Sequence, residues 1–507
     1  MAGSLKAKSD FDDGFLSIQQ VIRRYSPLSI LVEALRYLYS PVKDPVEQAS
    51  KHPWLIMLLI KWTFVDPLAD AWLPRPDITP GKLHALLQEI YDLSDTGSRP
   101  DEYEDVRLFM RALAYQQFLH QTENGLLDIA RQVQIFARVP ENHYFKTRFL
   151  RGLGVSISDF LRLAFAVIAI VKKPEPIINR ETLFELCPPF APATVNAFLS
   201  AISVDVQDLP RELRAVDLDL RHANEFLLQT PLLRFPLIKV GGQYWCVSPH
   251  VLERSLGHFI YDYLKRVDVG SFNSPFGKSF ERYVGEQIER SGLAWADENE
   301  LLRALPGQGK VVDFIVADGD ANVLIDAKGV EMAQRGMAAL RRGDVRRATQ
   351  TSLIKAFEQG HEVAARVAAI SNSHPVIHAR PSTYLLAVTY KELYIGNGIT
   401  LAGVIGESEL TKIRMQYDPR HLIPDENIYF LTVREFEELM SLVRDGKIGL
   451  VEALNRAKQA DSNPLTHKFN FELHIAGWPE AANRKSPLQS VLQTVIDEMR
   501  RLVTRSA

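Results

Sequence analysis

Apolar residues recur at three- and four-residue steps through most of the first 235 positions. TPGKLHALLQEIYDL (79–93), EDVRLFMRALAYQQFLHQTENGLLDIARQVQIFARV (104–139) and VSISDFLRLAFAVIAIV (155–171) each gather them on one helical face. Thr79 followed by Pro80 has the form of an N-cap and a first-turn proline. Prolines cut ETLFELCPPFAPATVNAFLSAIS (181–203) into short helices. No fixed period repeats, which argues against a regular solenoid.

The pattern changes near residue 230. TPLLRFPLIKVGGQYWCVSP (230–249) reads as two short strands around Gly241-Gly242, and VLERSLGHFIYDYLKR (251–266) as a helix. A boundary is predicted at Asn273 to Pro275. Beyond it SPFGKSFERYVGEQIERSG (274–292) is an amphipathic helix. VVDFIVAD (311–318) and NVLIDAKG (322–329) are strands separated by the turn Gly319-Asp320-Ala321. Residues 332–367 are mostly helical with a break near Gly343. STYLLAVTY (382–390) and NIYFLTV (427–433) are further strands, and REFEELMSLVRDG (434–446) is a helix. The tail holds one alternating strand, HKFNFELHI (467–475), and an amphipathic helix, LQSVLQTVIDEMRRLV (488–503).

These elements predict a multidomain chain. Residues 1–235 form an α-helical region, 236–273 a hairpin and connecting helix, and 274–445 a compact α/β domain. Residues 446–507 form a C-terminal helical extension with one strand. The longest apolar runs, Trp54–Val65 and Phe160–Val171, are interrupted by Lys61 and Arg162 and fall short of the ~18–20 residues of a membrane span. The N-terminus lacks the apolar core of a signal peptide. A cytoplasmic location is expected.

Composition narrows the chemistry slightly. The 507 residues are 46% hydrophobic and 24% charged, with a formal charge of −3, so any basic surface must be local. The two cysteines, Cys187 and Cys246, form no CxxC, which excludes a cysteine-based zinc site and suggests two buried small hydrophobes. No HExxH or GxSxG is present, and Gly277-Lys278-Ser279 lacks the glycine spacing of a phosphate loop. Gly307-Gln308-Gly309-Lys310 is expected to be a flexible loop leading into the first of the paired strands.

Those two strands carry the strongest signal. Asp313 lies in one apolar run and Asp326 in the next, and period-two alternation puts Lys328 on the same face as Asp326. A hairpin brings the two aspartates together. Neighbouring buried carboxylates resist joint ionisation, and a hard divalent cation removes the conflict. Such a cation also lowers the pKa of a coordinated water and stabilises charge developing on a phosphate.

Asp313, the thirteen-residue step to Asp326 and the Asp326-Ala327-Lys328 tripeptide resemble the PD-(D/E)XK nuclease superfamily. The resemblance covers residues 274–445. It implies a metal-dependent nuclease fold with a mixed central sheet flanked by helices, in which Asp313, Asp326, Glu281 of the preceding helix and the backbone carbonyl of Ala327 hold Mg²⁺ or Mn²⁺. It also implies that Lys328 positions the attacking water or stabilises the transition state. Val312 stands where many members have proline. Some branches carry a glutamine on the following helix, a place that Gln350 could fill.

From Lys328 to Lys355 there are seven basic residues and two acidic ones, and Arg342, Arg346 and Arg347 are the expected phosphate contacts. The expected function is a metal-dependent endonuclease hydrolysing DNA. Its helical first half would respond to a regulator or trigger, as in a defence effector active against phage or other foreign DNA. A homodimer would suit cleavage of both strands. The alternatives are an RNase with the same metal chemistry and an inactive nuclease fold serving as a binding scaffold.

Overall fold

The computed structural model describes residues 2–44, 50–71, 74–95, 99–121, 125–171, 175–185, 189–216, 223–305, 307–370, 374–482, 484 and 486–506. The chain divides into two compact units. The first comprises Met1–Glu102, Ala112–Asp268 and Ser490–Ala507, and the second Tyr103–Arg111 and Val269–Gln489.

The first unit is mainly helical. Its principal helices are α1 (Ala2–Ile22), α2 (Pro27–Tyr39), α3 (Pro53–Val65), α4 (Pro80–Ser94), α5 (Gly125–Gln132), α6 (Tyr144–Leu153), α7 (Ile157–Val171) and α8 (Pro249–Val267). The C-terminal helix, Gln489–Ser506, returns to this unit. Thr79 caps α4 as its sequence predicts, its hydroxyl accepting from the Lys82 N–H. A π-helical turn, Val133–Ala137, extends α5. Helix α3 is buried on every side except at Trp54, as expected for a helix apolar all round. Lys61 is tolerated there because its Nζ lies 2.5 Å from Glu225 Oε1, also buried. Among the described residues no single helix is long and apolar enough to cross a membrane.

This unit also contains a small mixed sheet that helical periodicity does not predict. The expected hairpin forms, with β3 (Leu237–Val240) antiparallel to β4 (Gln243–Cys246). It recruits β1 (Ile177–Ile178) beside β4 and β2 (Ser203–Asp205) parallel to β3. Strands of two and three residues carry too little alternation to be read from sequence. Cys246 is fully buried, and burial pushes its thiol up to about 12. Cys187 lies outside the described residues.

The second unit is built on a five-stranded mixed sheet in the order β5-β6-β7-β8-β9. Strands β5 (Ala294–Asp297), β6 (Phe314–Asp318) and β7 (Ala321–Lys328) run antiparallel to one another. β8 (Ser382–Thr389) and β9 (Ile428–Thr432) then add in parallel. β7 is central, and Ala321 to Asp326 are all buried, as two-sided packing requires. Helices α9 (Val269–Ser291), α10 (Glu298–Ala304), α11 (Arg342–Thr349), α12 (Leu353–Ala369) and α13 (Val433–Arg444) complete the α/β arrangement. α9 packs on β7 and α13, and α12 on β7 and β8.

Three local expectations need correction. The segment 467–475 is not a strand: Asn470 caps a helix over Phe471–Ala476 by accepting from the Leu473 N–H. Phe471 and Ile475, four apart, are the buried face, so a helical repeat wins over the apparent alternation. The helical stretch 332–367 breaks at 338–341 and 350–352, with Gly343 inside α11. Asn273 to Pro275 lies within α9, which accommodates Pro275 internally.

Candidate active site

Antiparallel pairing puts Phe314 opposite Ile325, and Asp313 and Asp326 stand one residue beyond that pair. The two strands are tied there by a side chain: Asp313 Oδ2 accepts from the Ala327 N–H at 2.6 Å. Asp326 is 1% exposed. Lys328, two residues on along β7, brings Nζ to 2.6 Å from Asp326 Oδ2. The approach is an ion pair without hydrogen-bond alignment, and Asp326 Oδ2 has no hydrogen-bond partner among the described residues.

A glutamine not singled out in the sequence fixes the lysine. Lys328 Nζ donates to Gln359 Oε1 at 2.9 Å, and Gln359 Nε2 donates to the Val311 carbonyl at 2.6 Å. Gln359 therefore couples the ammonium to the backbone leading into β6. Its helix, α12, lies very close to the sheet at the next residue. A Cβ on Gly360 would stand 2.8 Å from a Leu385 methyl. Gln350, the glutamine expected from sequence, is exposed at the C-terminal end of α11.

Glu281 comes from α9. One turn later, a Cβ on Gly285 would lie 3.0 Å from the Phe314 ring, so glycine lets the helix settle onto β6. One carboxylate oxygen from each of Glu281, Glu298 and Asp313 falls within 4.8 Å of the others. Glu298 is absent from the sequence expectation. It opens α10, where Asp297 and Glu300 form a capping box through bonds of 2.8 and 3.2 Å. That D-x-x-E signature after the short run Ala294-Trp295-Ala296 was legible as a helix start. Its proximity to Asp313 depends on β5 pairing with β6.

Crowding shows in the electrostatics. Burial, followed by the charge of Asp326, pushes Asp313 up to about 8, against the opposing hydrogen bond from Ala327. Glu281 is raised as well, first by burial and then by Glu298, Asp297 and Asp326. An all-oxygen donor set with this excess of negative charge suits a hard divalent cation. The buried Asp326 oxygen without a hydrogen-bond partner fits the same role.

No protein-family model matches this chain, and no curated protein matches it.

The basic residues after β7 divide into different roles. Arg342 is engaged within the second unit: its N–H donates to Glu104 Oε2, Nε to the Gly403 carbonyl, and Nη2 to Asp105 Oδ2, at 2.8 to 2.9 Å. It anchors α11 and is not poised toward a ligand. Arg347, largely exposed, pairs with Asp344 one turn earlier. Arg346 is half-buried and makes no ion pair among the described residues. The loop before β6 is pinned to α12, with Lys310 Nζ on Glu358 and Arg366 Nη1 donating to the Lys310 carbonyl at 3.1 Å.

Proposed function

We propose that the second unit is a divalent-cation-dependent nuclease of the PD-(D/E)XK superfamily that hydrolyses phosphodiester bonds in DNA. The observation carrying this reading is the meeting of Asp313, Asp326 and Lys328 at the end of two paired strands, with Asp326 buried and Asp313 pushed up to about 8. The mixed five-stranded sheet and the carboxylate of Glu281 beside Asp313 support it.

In this reading Asp313, Asp326 and Glu281, with the Ala327 carbonyl, hold Mg²⁺ or Mn²⁺. A cation held there would acidify a coordinated water and offset negative charge growing on the phosphate. Asp326 aims Lys328 along the strand, while Gln359 restricts its swing. The ammonium can then orient the water and balance charge on the phosphate oxygens. Arg346 and Arg347 draw in the nucleic-acid backbone without reading bases. The helical first unit regulates this activity, as a defence effector aimed at foreign DNA would require.

Incubation of the purified chain with plasmid, linear DNA and RNA, each in Mg²⁺ or EDTA, tests the reading. DNA should be cut in Mg²⁺ and left intact in EDTA. Cleavage of RNA alone would replace the substrate class. No cleavage of any substrate, or equal cleavage by Asp326→Ala, would overturn the assignment.

A further inference from the structure

The first unit contains a cavity of about 370 Å³, bounded by the π-helical turn, α7 and the C-terminal helix. That volume lies within the range of small-molecule sites, roughly 300–1,000 Å³. Here the turn places Gln134, 1% exposed, in the cavity wall and ends at Arg138.

The charges in the wall are unequally matched. Glu498 of the C-terminal helix meets Arg162 of α7 at 2.9 Å, and Arg162 also reaches Asp159 at 3.3 Å. Arg138 lines the same cavity, is exposed, and makes no ion pair among the described residues. The remaining surface includes aliphatic side chains, Leu161, Val491 and Val495. A complementary occupant therefore has one anionic group and an apolar body.

We propose that this cavity binds a small organic anion, its charged group on Arg138 and its apolar body against Leu161, Val491 and Val495. The occupant bridges the π-helical turn and the C-terminal helix, so it holds residues 490–506 in place. That helix begins at Gln489, the last residue of the second unit.

The full chain can be titrated with 8-anilino-1-naphthalenesulfonate, a sulfonate on an aromatic body, while its fluorescence is followed. One saturable site is expected, with slower amide exchange across 490–506 in the bound state. Arg138→Ala should weaken binding by roughly tenfold or more, since a charge-assisted hydrogen bond is lost. Thr494→Trp, which fills the cavity, should abolish saturable binding. Asp326→Ala should bind as the wild type does, which separates this result from the fate of the nuclease reading. Arg138 is exposed, so its alanine variant should retain the wild-type circular dichroism. Unchanged affinity in folded Arg138→Ala and Thr494→Trp would overturn the proposal.

Discussion

A buried carboxylate meets a lysine at close range in both units, at 2.5 Å for Glu225 and Lys61 and 2.6 Å for Asp326 and Lys328. In the first unit an ammonium meets a carboxylate against a largely apolar helix. In the second, the same pair stands among Asp313, Glu281 and Glu298, so one ammonium faces a surplus of acids. A matched pair lets a charged side chain reside in a core. The surplus raises Asp313 and Glu281 and leaves room for a cation. The proposed division of labour between the units rests on that difference in local charge.

The largest expected effect lies in the surplus site. Asp326→Ala should reduce Mg²⁺-dependent cleavage by on the order of 10⁴-fold, the scale seen when a member of a catalytic group is removed. Its metal-free melting temperature should move by only a few degrees, because Lys328 keeps Gln359 and Asp313 loses a repelling neighbour. Gel-based cleavage and calorimetry in EDTA measure the two quantities. A collapse in stability with activity retained would make the two pairs equivalent.

Lys61→Met should behave in the opposite way. It leaves Glu225 buried opposite an apolar side chain, which costs about 3–5 kcal/mol. Urea denaturation measures this, and a second change, Glu225→Gln, should recover much of the loss. If Lys61→Met were neutral, the matched pair would have no structural weight.

The third expected effect depends on pH. With a folded pKa near 8 against an ordinary 3.8, Asp313 retains a proton in the folded state that the unfolded chain releases. Metal-free stability therefore falls as pH rises from about 4 to about 8. Asp313→Asn removes that titration and retains an acceptor for the Ala327 N–H. In EDTA its melting temperature should exceed the wild type's by several degrees at pH 8, with the gain vanishing near pH 4. Adding Mg²⁺ at pH 8 should raise the wild type and leave the variant almost unmoved. Parallel melting curves at both pH values would contradict the crowding.

The legible parts of the site are those set by short-range pattern. Two apolar runs around Gly319-Asp320 specify a hairpin, and a hairpin necessarily brings Asp313 near Asp326. Glu281 lies on a helix whose apolar face is plain in the sequence. Glu298 was missed because it reaches the cluster only through β5, a four-residue edge strand. Arg342 reads as a free cation among basic neighbours, yet its partners Glu104 and Asp105 lie more than two hundred residues earlier. Charge counts along a helix do not reveal such distant pairing. The strand proposed for 467–475 failed for a related reason: seven residues of alternation also satisfy a capped helical turn, and packing of Phe471 and Ile475 decides between them.

The choice between Gln350 and Gln359 yields the smallest and most discriminating expectation. Both follow β7 in a helical stretch, nine residues apart, and sequence offers no reason to prefer the second. The fold does. α11 ends at Thr349 and leaves Gln350 exposed, whereas α12 approaches the sheet at Gly360 and turns Gln359 toward Lys328. Gln359→Ala removes one hydrogen bond to the ammonium and one to the Val311 carbonyl. The lysine keeps its ion pair with Asp326, so cleavage should fall by roughly tenfold rather than disappear, the cost of about one charge-assisted hydrogen bond. Gln350→Ala should cleave at the wild-type rate. The loss in Gln359→Ala should lie in kcat more than in KM, because Gln359 holds Lys328 and not the bound strand. Equal losses in both variants would mean that the contact to Lys328 does not set its position, and the ammonium would then owe its place to Asp326 alone.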